Sequence, residues 1–438
     1  MPIDLRDDRK ERLIKALQEA LPNITTSHGM FINRLSGIFL TLCDFELPKT
    51  GKLRDRLVDQ LDEFPFTRFA LDTIGWELWE FDQYQGNAQT IGLCDIEPFK
   101  DAKYTATRLV EHFLTLPWKY TFSFPLPEVL GGLLRPTTNE IRLSPTVRLA
   151  RACEKFSTEF PLASPNKRRQ QHIRGGSLGL LIFLDTDPPE HKRDQIYLQV
   201  TVEGFVGQYG GSGTVLQAER ALRSFCGLGI ALRLFKYQHK LPNAQKSHFY
   251  AHKQSDNGHF LPEYRLGLDD PIERGLLGLS LHDLDGTLDS EERKLSWAEH
   301  TLGNMASAFA GLEKAETILL GAQWLFDSYS SRDELLSFVQ AMVVLEILLG
   351  DKNASDKIGL GSLLRNRCAY LIGNSQEERT NILQDFNKIY SVRSQIVHAG
   401  KHRLTLEERS LFRRLQWMCR RVIDKEVDLL KANPKPVA

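Results

Sequence analysis

The fold is decided near the C-terminus by residues 390–400, which read Tyr390-Ser391-Val392-Arg393-Ser394-Gln395-Ile396-Val397-His398-Ala399-Gly400. The stretch predicts the end of a helix that begins at Ser375, because Ser375 and Glu378 have the spacing of a capping box. Gly400 is a natural left-handed stop. Between these ends, apolar residues recur at steps of three and four, which predicts a stripe facing a core: Ile382, Phe386, Ile389, Ile396 and Val397.

Arg393 lies in or beside this predicted stripe. A buried charge without a partner is costly, so such an arginine needs a carboxylate or a chemical role. Glu346 is the one carboxylate in the apolar run 341–350, and its candidate partners are Arg367 and Arg393. A structural ion pair that fixes the register of the helices and a catalytic role for Glu346 both remain open.

From about residue 290 the sequence predicts helices only. The candidates are 290–314, 315–329, 333–349, 358–372, 376–399 and 406–431. Ser331 with Glu334, and Thr405 with Glu408, repeat the capping-box spacing. Short turns between long helices predict antiparallel neighbours in a bundle.

The spacing Arg393-x4-His398 resembles the signature of HEPN ribonuclease domains, specifically the Apea-like branch. The neighbouring residues that share the resemblance are Ile389, Tyr390, Ser394, Ile396, Val397 and Gly400. The similarity extends upstream through 345–349 and 367–373 and covers about the last third of the chain. Many HEPN nucleases carry Asn, Asp or His directly after the arginine, where this chain has Ser394.

The resemblance implies a metal-independent endoribonuclease that needs no cofactor. Arg393 and His398 are the expected catalytic residues, supported by Ser394 and Glu346. Histidine suits proton transfer because its reference pKa is about 6.5, and arginine offers a planar, permanently charged fork to phosphate. The candidate RNA contacts are Lys401, His402, Arg403 and Arg367, for which the alternative is ordinary solvated side chains.

The helix geometry bears on assembly. Five residues at roughly 100° each place Arg393 and His398 about 140° apart around an ideal helix. Related domains pair two bundles about a two-fold axis, so the resemblance implies a homodimer with a composite cleft. The alternative is a catalytically inactive bundle that serves as a dimerisation or RNA- or protein-binding module, with Arg393 paired to Glu346 and His398 at the helix end.

Composition limits the classes of protein. The formal net charge is zero, so overall charge does not indicate a nucleic-acid binder. Residues 351–438 carry 17 Lys and Arg against 10 Asp and Glu, and the rest of the chain balances this +7. The scattered six cysteines contain no C-x-x-C, which favours reduced thiols in a cytoplasmic protein. The N-terminus is charged where a signal peptide would be apolar, so none is expected, and the longest apolar run is too short to cross a membrane.

We therefore predict an α+β protein: a mixed N-terminal region (1–175), an α/β unit with a Gly-rich loop (176–289) and an all-α HEPN-type bundle (290–438). Helices are expected over 5–21, 104–116 and 214–225, and a basic loop over 164–176. Strands are expected over 37–43, 118–124, 140–149, 178–184, 195–205 and 230–237. The aromatic segment 64–85 is expected to add strands.

Three other patterns suggest chemistry. Residues 281–290 match the D-x-D-G-T-L motif of haloacid-dehalogenase-type phosphatases, but a turn before a helix capped by Asp289 and Glu292 is favoured. The Gly-rich stretch 204–214 lies between a strand and a helix, where phosphate could bind, yet it lacks a Walker A lysine. His248, His252 and His259 have no metal-ligand spacing, and an exposed loop without metal is expected there.

Apea-like domains resemble effectors of bacterial antiviral defence. The N-terminal region is then expected to sense a trigger, phage-derived or nucleotide, or to restrain the nuclease. The function that the resemblance implies is RNA cleavage by Arg393 and His398.

Overall fold

The computed structural model of the 438-residue chain describes residues 2–27, 31–81, 90–162, 191–207, 212–239, 247–284, 286–311, 313–351, 353, 356 and 359–432. Of residues 34, 79–81 and 262–264 it describes only the backbone. The predicted loop 164–176 and strand 178–184 lie outside the described residues, as do Asp285 and part of the Gly-rich stretch.

The fold is α+β, as predicted. The helices are α1 Asp7–Ala20, α2 Gly37–Thr41, α3 Lys52–Gln60, α4 Pro65–Phe81, α5 Ala102–Leu114, α6 Glu154–Glu159, α7 Gly213–Ala231, α8 Asp270–Leu277, α9 Glu291–Ala308, α10 Glu313–Ser330, α11 Glu334–Leu349, α12 Leu360–Ile372, α13 Gln376–His398 and α14 Leu406–Ala432. The strands are β1 Thr25–Ser27, β2 Phe31–Ile32, β3 Thr90–Gly92, β4 Trp118–Pro125, β5 Glu140–Arg142, β6 Val147–Arg151, β7 Ile196–Gly204, β8 Phe235–Tyr237, β9 His248–Gln254, β10 Phe260–Gly267 and β11 Leu279–Leu281.

The main sheet is antiparallel, with strand order β10-β9-β4-β7-β6-β5. Phe122 on β4 pairs with Val200 on β7, and both side chains are buried. Two small sheets, β2-β1-β3 and β11-β8, complete the pairing among the described residues. The sheet thus brings together strands that are far apart in sequence.

Two buried apolar clusters account for most of the core. One consists of N-terminal side chains from Ile3 to Leu116 together with Phe205. The other runs from the main sheet through α7 and α8 to α9–α14. Apolar side chains on both sides of the predicted boundary at 289/290 therefore share one core, and the predicted boundary at 175/176 lies outside the described residues.

The six predicted C-terminal helices are confirmed as α9–α14, within a few residues at most ends. At Ser375 the predicted cap is confirmed, since the Glu378 N–H donates to Ser375 Oγ at 3.1 Å, but the Glu378 carboxylate accepts the N–H of Asn374 rather than that of Ser375. Thr405 and Glu408 cap α14 reciprocally. The box predicted at Ser331 is wrong, because Asp333 accepts the first free N–H groups of α11 instead.

Two predicted strand regions are helical. Residues 37–43 form α2 and part of a 3-10 segment, Leu42–Glu46. Residues 65–81 of the aromatic segment form α4, where the four-residue spacing of Phe66, Ala70 and Ile74 buries one helical face. Aromatic residues favour strands, but the apolar residues of this segment recur at three- and four-residue steps, and this period favours a helix.

Two further predicted strands were only partly right. The stretch 140–149 is split into β5 and β6 by a turn in which Ser144 Oγ accepts the Val147 N–H at 3.0 Å. Most of 230–237 is not strand, because α7 continues to Ala231 and β8 begins at Phe235.

None of the helices that the structure describes is long and apolar enough to cross a membrane. No disulfide joins the six cysteines, all of which are described.

Candidate active site

The helix α13 carries the Arg393-x4-His398 spacing and is fixed by close packing. Ile389 and Val392 are buried against the bundle. A Cβ on Gly361 of α12 would lie 3.0 Å from the Tyr390 ring, so α12 and α13 approach closely there. The predicted apolar stripe is correct through Ile389. It is wrong at Val397, which is 47% exposed, whereas the neighbouring Ile396 packs against the core.

Arg393 is half-buried beside the end of α11. Its Nη2 lies 3.4 Å from Oε1 of Glu346, and about a quarter of each side chain is exposed. The structure thus selects Arg393 rather than Arg367 as the partner of Glu346. The Nε of Arg393 is buried and has no hydrogen-bond partner among the residues that the structure describes. This contact holds the guanidinium in place and leaves some of its five N–H donors outside the ion pair.

His398 is the last residue of α13 and is exposed. Gly400, at φ +64°, ends the helix in the left-handed conformation, as predicted. On an ideal helix, His398 follows Arg393 by about 7.5 Å along the axis. The imidazole is therefore accessible from solvent at the end of the bundle.

The other predicted site residues differ in their surroundings. Ser394, His402 and Arg403 are exposed. Lys401 is engaged with Glu408 at 2.8 Å, and its Nζ also donates to Gln395. The two contacts tie Lys401, in the turn between the helices, to the end of α13 and the start of α14.

Arg367 binds the C-terminal end of α11. Its Nη1 donates to the Leu349 carbonyl at 2.9 Å, and its Nη2 lies 3.3 Å from Asp351. A cation there satisfies a free carbonyl at a helix C-terminus. The structure therefore shows a capping role for Arg367.

The phosphatase-like stretch forms a turn before α9, as favoured from the sequence. The cap is shifted by one residue, since Ser290 accepts the Arg293 N–H, whereas Asp289 forms an ion pair with Arg293. In the same stretch, His282 Nδ1 accepts the Leu284 N–H at 2.7 Å.

In the Gly-rich stretch, the described residues make structural contacts between β7 and α7. Ser212 caps α7, and Thr214 Oγ1 accepts the Phe205 N–H at 2.9 Å. A Cβ on Gly204 would collide with the Thr214 side chain. A close strand-to-helix contact thus accounts for Gly204.

The three histidines are not in one exposed loop, which corrects the sequence-based expectation. His248 and His252 lie on β9, and His252 is buried, with Nε2 hydrogen-bonded to the Pro161 carbonyl. Burial lowers the pKa of His252 to about 4. Within the described ranges, no group of three His, Cys, Asp or Glu side chains could hold a metal ion.

The sequence did not reveal a cleft of about 560 Å³ between α7, the segment after β11, the first turn of α13 and α14. Its lining includes Arg233, His282, Glu378, Trp417 and Arg420. These residues come from four separate segments, so no local spacing could have indicated the cleft. The consecutive Arg420 and Arg421 were the only available signal.

Comparison of the chain with protein-family models, curated proteins and solved structures finds no match.

Proposed function

We propose that the protein is a metal-independent endoribonuclease in which Arg393 binds the scissile phosphate and His398 transfers protons. The proposal is supported chiefly by one observation. Arg393 and His398 lie in the last turns of the long helix α13, where the imidazole is exposed and Glu346 holds the guanidinium in place. A role as an antiviral effector is part of the same proposal and rests on the HEPN resemblance.

RNA supplies its own nucleophile, the 2′-hydroxyl group. A base removes its proton, the 2′ oxygen attacks phosphorus, and the bond to the 5′ oxygen breaks as that oxygen receives a proton. The products are a 2′,3′-cyclic phosphate and a 5′-hydroxyl. Histidine can act as the base or the acid, and arginine stabilises the charge that develops on the phosphoryl oxygens.

The site is proposed to be composite. Arg393 and His398 point in directions about 140° apart on one helix, which hinders their convergence on one phosphate. A two-fold axis that brings two copies of α13 together places two arginines and two histidines around a shared cleft. The active species is thus a homodimer.

The Arg393–Glu346 ion pair also favours a second function. If Arg393 only fixes the register of α11 and α13, the bundle is inactive and serves as a dimerisation or RNA- or protein-binding module. The two functions differ in what loss of His398 does, since the exposed imidazole contributes to cleavage only in the first.

Cleavage of a fluorescent RNA by Arg393→Ala and His398→Ala distinguishes the two functions. We expect each variant to lose at least a hundredfold in rate, because general acid–base catalysis contributes about 10²–10⁴-fold and loss of one group that stabilises the transition-state charge costs about 10²–10³-fold. Chelation with EDTA should leave the wild-type rate unchanged. Full activity in either variant, or loss of activity on chelation, would contradict the proposal.

Two control variants match these changes. Arg409→Ala removes another arginine ion pair of the bundle, to Glu334 at 3.1 Å. His300→Ala removes another exposed histidine, on α9. Both should cleave RNA at the wild-type rate, so a loss restricted to Arg393 and His398 would exclude a general effect of lost charge or stability.

A further inference from the structure

A set of apolar side chains is exposed on one helical segment of the N-terminal region. The segment runs from a 3-10 turn, Arg34–Ser36, through α2 and into the 3-10 segment Leu42–Glu46. Five of its large side chains are between 39% and 77% exposed, and we call them the apolar ridge: Leu35, Ile38, Phe39, Leu42 and Phe45. A contiguous exposed apolar surface of this kind marks an interaction site.

The spacing of the ridge follows the local helix type. Leu42 and Phe45 are three residues apart in a 3-10 segment, where such residues eclipse each other. Ile38 and Leu42 are four residues apart across α2, and Leu35 precedes Ile38 by three, so these residues are neighbours on one face of a helix. The ridge is therefore one continuous surface along the segment.

The opposite side of the segment is fixed to the N-terminal core. Leu40, Cys43 and Leu47 are buried there, and the buried carboxylate of Asp44 caps α4 through two backbone N–H groups. A helix that is apolar on all sides is normally covered on all sides. The ridge is thus held in place from behind and forms a preformed docking surface.

The charges beside the ridge favour an anionic partner. Glu46 lies 3.0 Å from Arg12, so its negative charge is compensated. Lys49 and Lys52 are exposed, and neither forms an ion pair with a residue that the structure describes. The Nζ atom of Lys49 lies 6.0 Å from the centroid of the Phe45 ring, at the end of the ridge. Uncompensated positive charge at this end attracts an anionic surface and opposes the approach of a second, identical ridge.

We propose that the apolar ridge docks on the surface of an anionic lipid membrane, with Lys49 and Lys52 at the headgroups. Leu and Phe side chains beside basic residues are typical of segments that lie in this interface, with the apolar face about 5–10 Å deep. A fluid bilayer accepts a projecting ridge without a matching groove, whereas a protein partner would have to supply one for Leu35, which is 77% exposed. The projection of the ridge and its charge therefore favour lipid.

Membrane docking is independent of the proposed nuclease site. The residues behind the ridge belong to the N-terminal core, whereas α13, which carries Arg393 and His398, packs in the other large core. Binding to lipid can be measured without RNA, and no ridge residue takes part in the proposed cleavage. Failure of one proposal therefore leaves the other intact.

Flotation of the full chain with lipid vesicles tests the docking surface. We expect binding to vesicles of phosphatidylcholine and phosphatidylglycerol in equal amounts, and much weaker binding to phosphatidylcholine alone. Ile38→Ser and Leu42→Ser should each weaken binding to the mixed vesicles about tenfold, because one apolar side chain no longer enters the lipid. The double variant Lys49→Gln/Lys52→Gln should also weaken it about tenfold or more, because two attractions to anionic headgroups are lost.

Two control variants match these changes outside the ridge. Leu406→Ser removes a leucine of α14 that is 81% exposed, and Lys155→Gln removes an exposed lysine of α6. Both should bind the mixed vesicles like wild type. Raising the salt concentration should weaken the binding of wild type, because salt screens the attraction between lysine and lipid.

Four outcomes would overturn the proposal. They are no binding to the mixed vesicles at millimolar lipid, equal binding of wild type and both ridge variants, equal binding of wild type to neutral and mixed vesicles, and a lower mass of the ridge variants in light scattering, which would assign the ridge to a second copy of the chain. Circular dichroism verifies folding. If Ile38→Ser does not fold, Ile38→Ala replaces it and should still weaken binding several-fold. Binding of that variant at the wild-type level would also contradict the proposal.

Discussion

The Arg393 guanidinium lies 3.4 Å from the Glu346 carboxylate, which joins the end of α13 to the end of α11. Both side chains are about a quarter exposed, so solvent screens the attraction and the pair is worth less than a fully buried one. This contact bears on both the structural role of Arg393 and its proposed catalytic role.

The variant Glu346→Ala tests whether this contact contributes to stability, to RNA cleavage or to both. We expect the free energy of unfolding, measured by urea denaturation, to fall by about 1–2 kcal/mol, because a hydrogen bond to a charged group is lost. RNA cleavage should fall at temperatures where the variant remains folded, since the guanidinium loses its anchor. Glu334→Ala, which removes the more exposed pair with Arg409, should cost only about 0.5 kcal/mol and keep activity. Unchanged stability and activity in Glu346→Ala would contradict both roles.

Packing of α7 on α10 makes the middle of the chain and the C-terminal helices one core. A Cβ on Gly227 of α7 would collide with the carbonyl oxygen of Ala322 on α10. We therefore expect Gly227→Ala to lower the free energy of unfolding by about 2–3 kcal/mol.

Gly303→Ala in α9 is the matched control for Gly227→Ala. No atom lies within 4 Å of the added Cβ, so the change should be neutral or stabilise the protein by up to about 1 kcal/mol. Equal effects of the two substitutions, measured by urea denaturation, would show that α7 and α10 do not pack as described.

The C-terminal helices could be predicted because each signal is local. The capping pair of Ser375 and Glu378, the stripe from Ile382 to Ile389 and the stop at Gly400 all act within one helix. Val397 departs from the stripe because exposure at the end of a helix depends on neighbouring elements. The helix that carries the candidate site could therefore be predicted from the sequence, but the side chains that its last turn exposes could not.

The N-terminal errors arose where distant residues decide the structure. Asp44 accepts the N–H groups of Phe66 and Thr67 at 2.9 and 3.0 Å, and so caps α4 from twenty-two residues away. No local pattern around Phe66 shows this cap. The cleft was missed for the same reason, since Arg233 and Arg420 are far apart in sequence and line the same cleft only in the folded chain.

Glu219 should make stability depend on pH. Burial raises its pKa to about 7, with a further contribution from Asp269. Because the folded pKa lies above the unfolded value of about 4.5, this group stabilises the fold fully below pH 4.5 and loses that contribution as pH rises through 7. Relative to wild type, Glu219→Gln should thus gain on the order of 3 kcal/mol between pH 4 and pH 8. Urea denaturation across this range measures the gain, and a difference that does not vary with pH would contradict it.

If the site is composite, the activity of one subunit depends on residues of the other. Mixing wild type with an excess of His398→Ala, under conditions where subunits exchange, should lower the activity per wild-type chain. The reason is that most wild-type chains then share a cleft with a subunit that lacks the imidazole. His300→Ala serves as the control partner and should leave the activity per wild-type chain unchanged. Light scattering that shows a fully active monomer would exclude the composite site.

The end groups of cleaved RNA test the central claim most directly. Wild-type protein is incubated with an RNA oligonucleotide and with the same oligonucleotide carrying a single 2′-deoxy sugar at the cleaved position, and the fragments are identified by mass spectrometry. The mechanism with the substrate's own 2′-hydroxyl predicts fragments that end in a 2′,3′-cyclic phosphate, and an intact 2′-deoxy oligonucleotide. Cleavage of the 2′-deoxy oligonucleotide at the wild-type rate, or no cleavage of either RNA by a folded dimer, would contradict it.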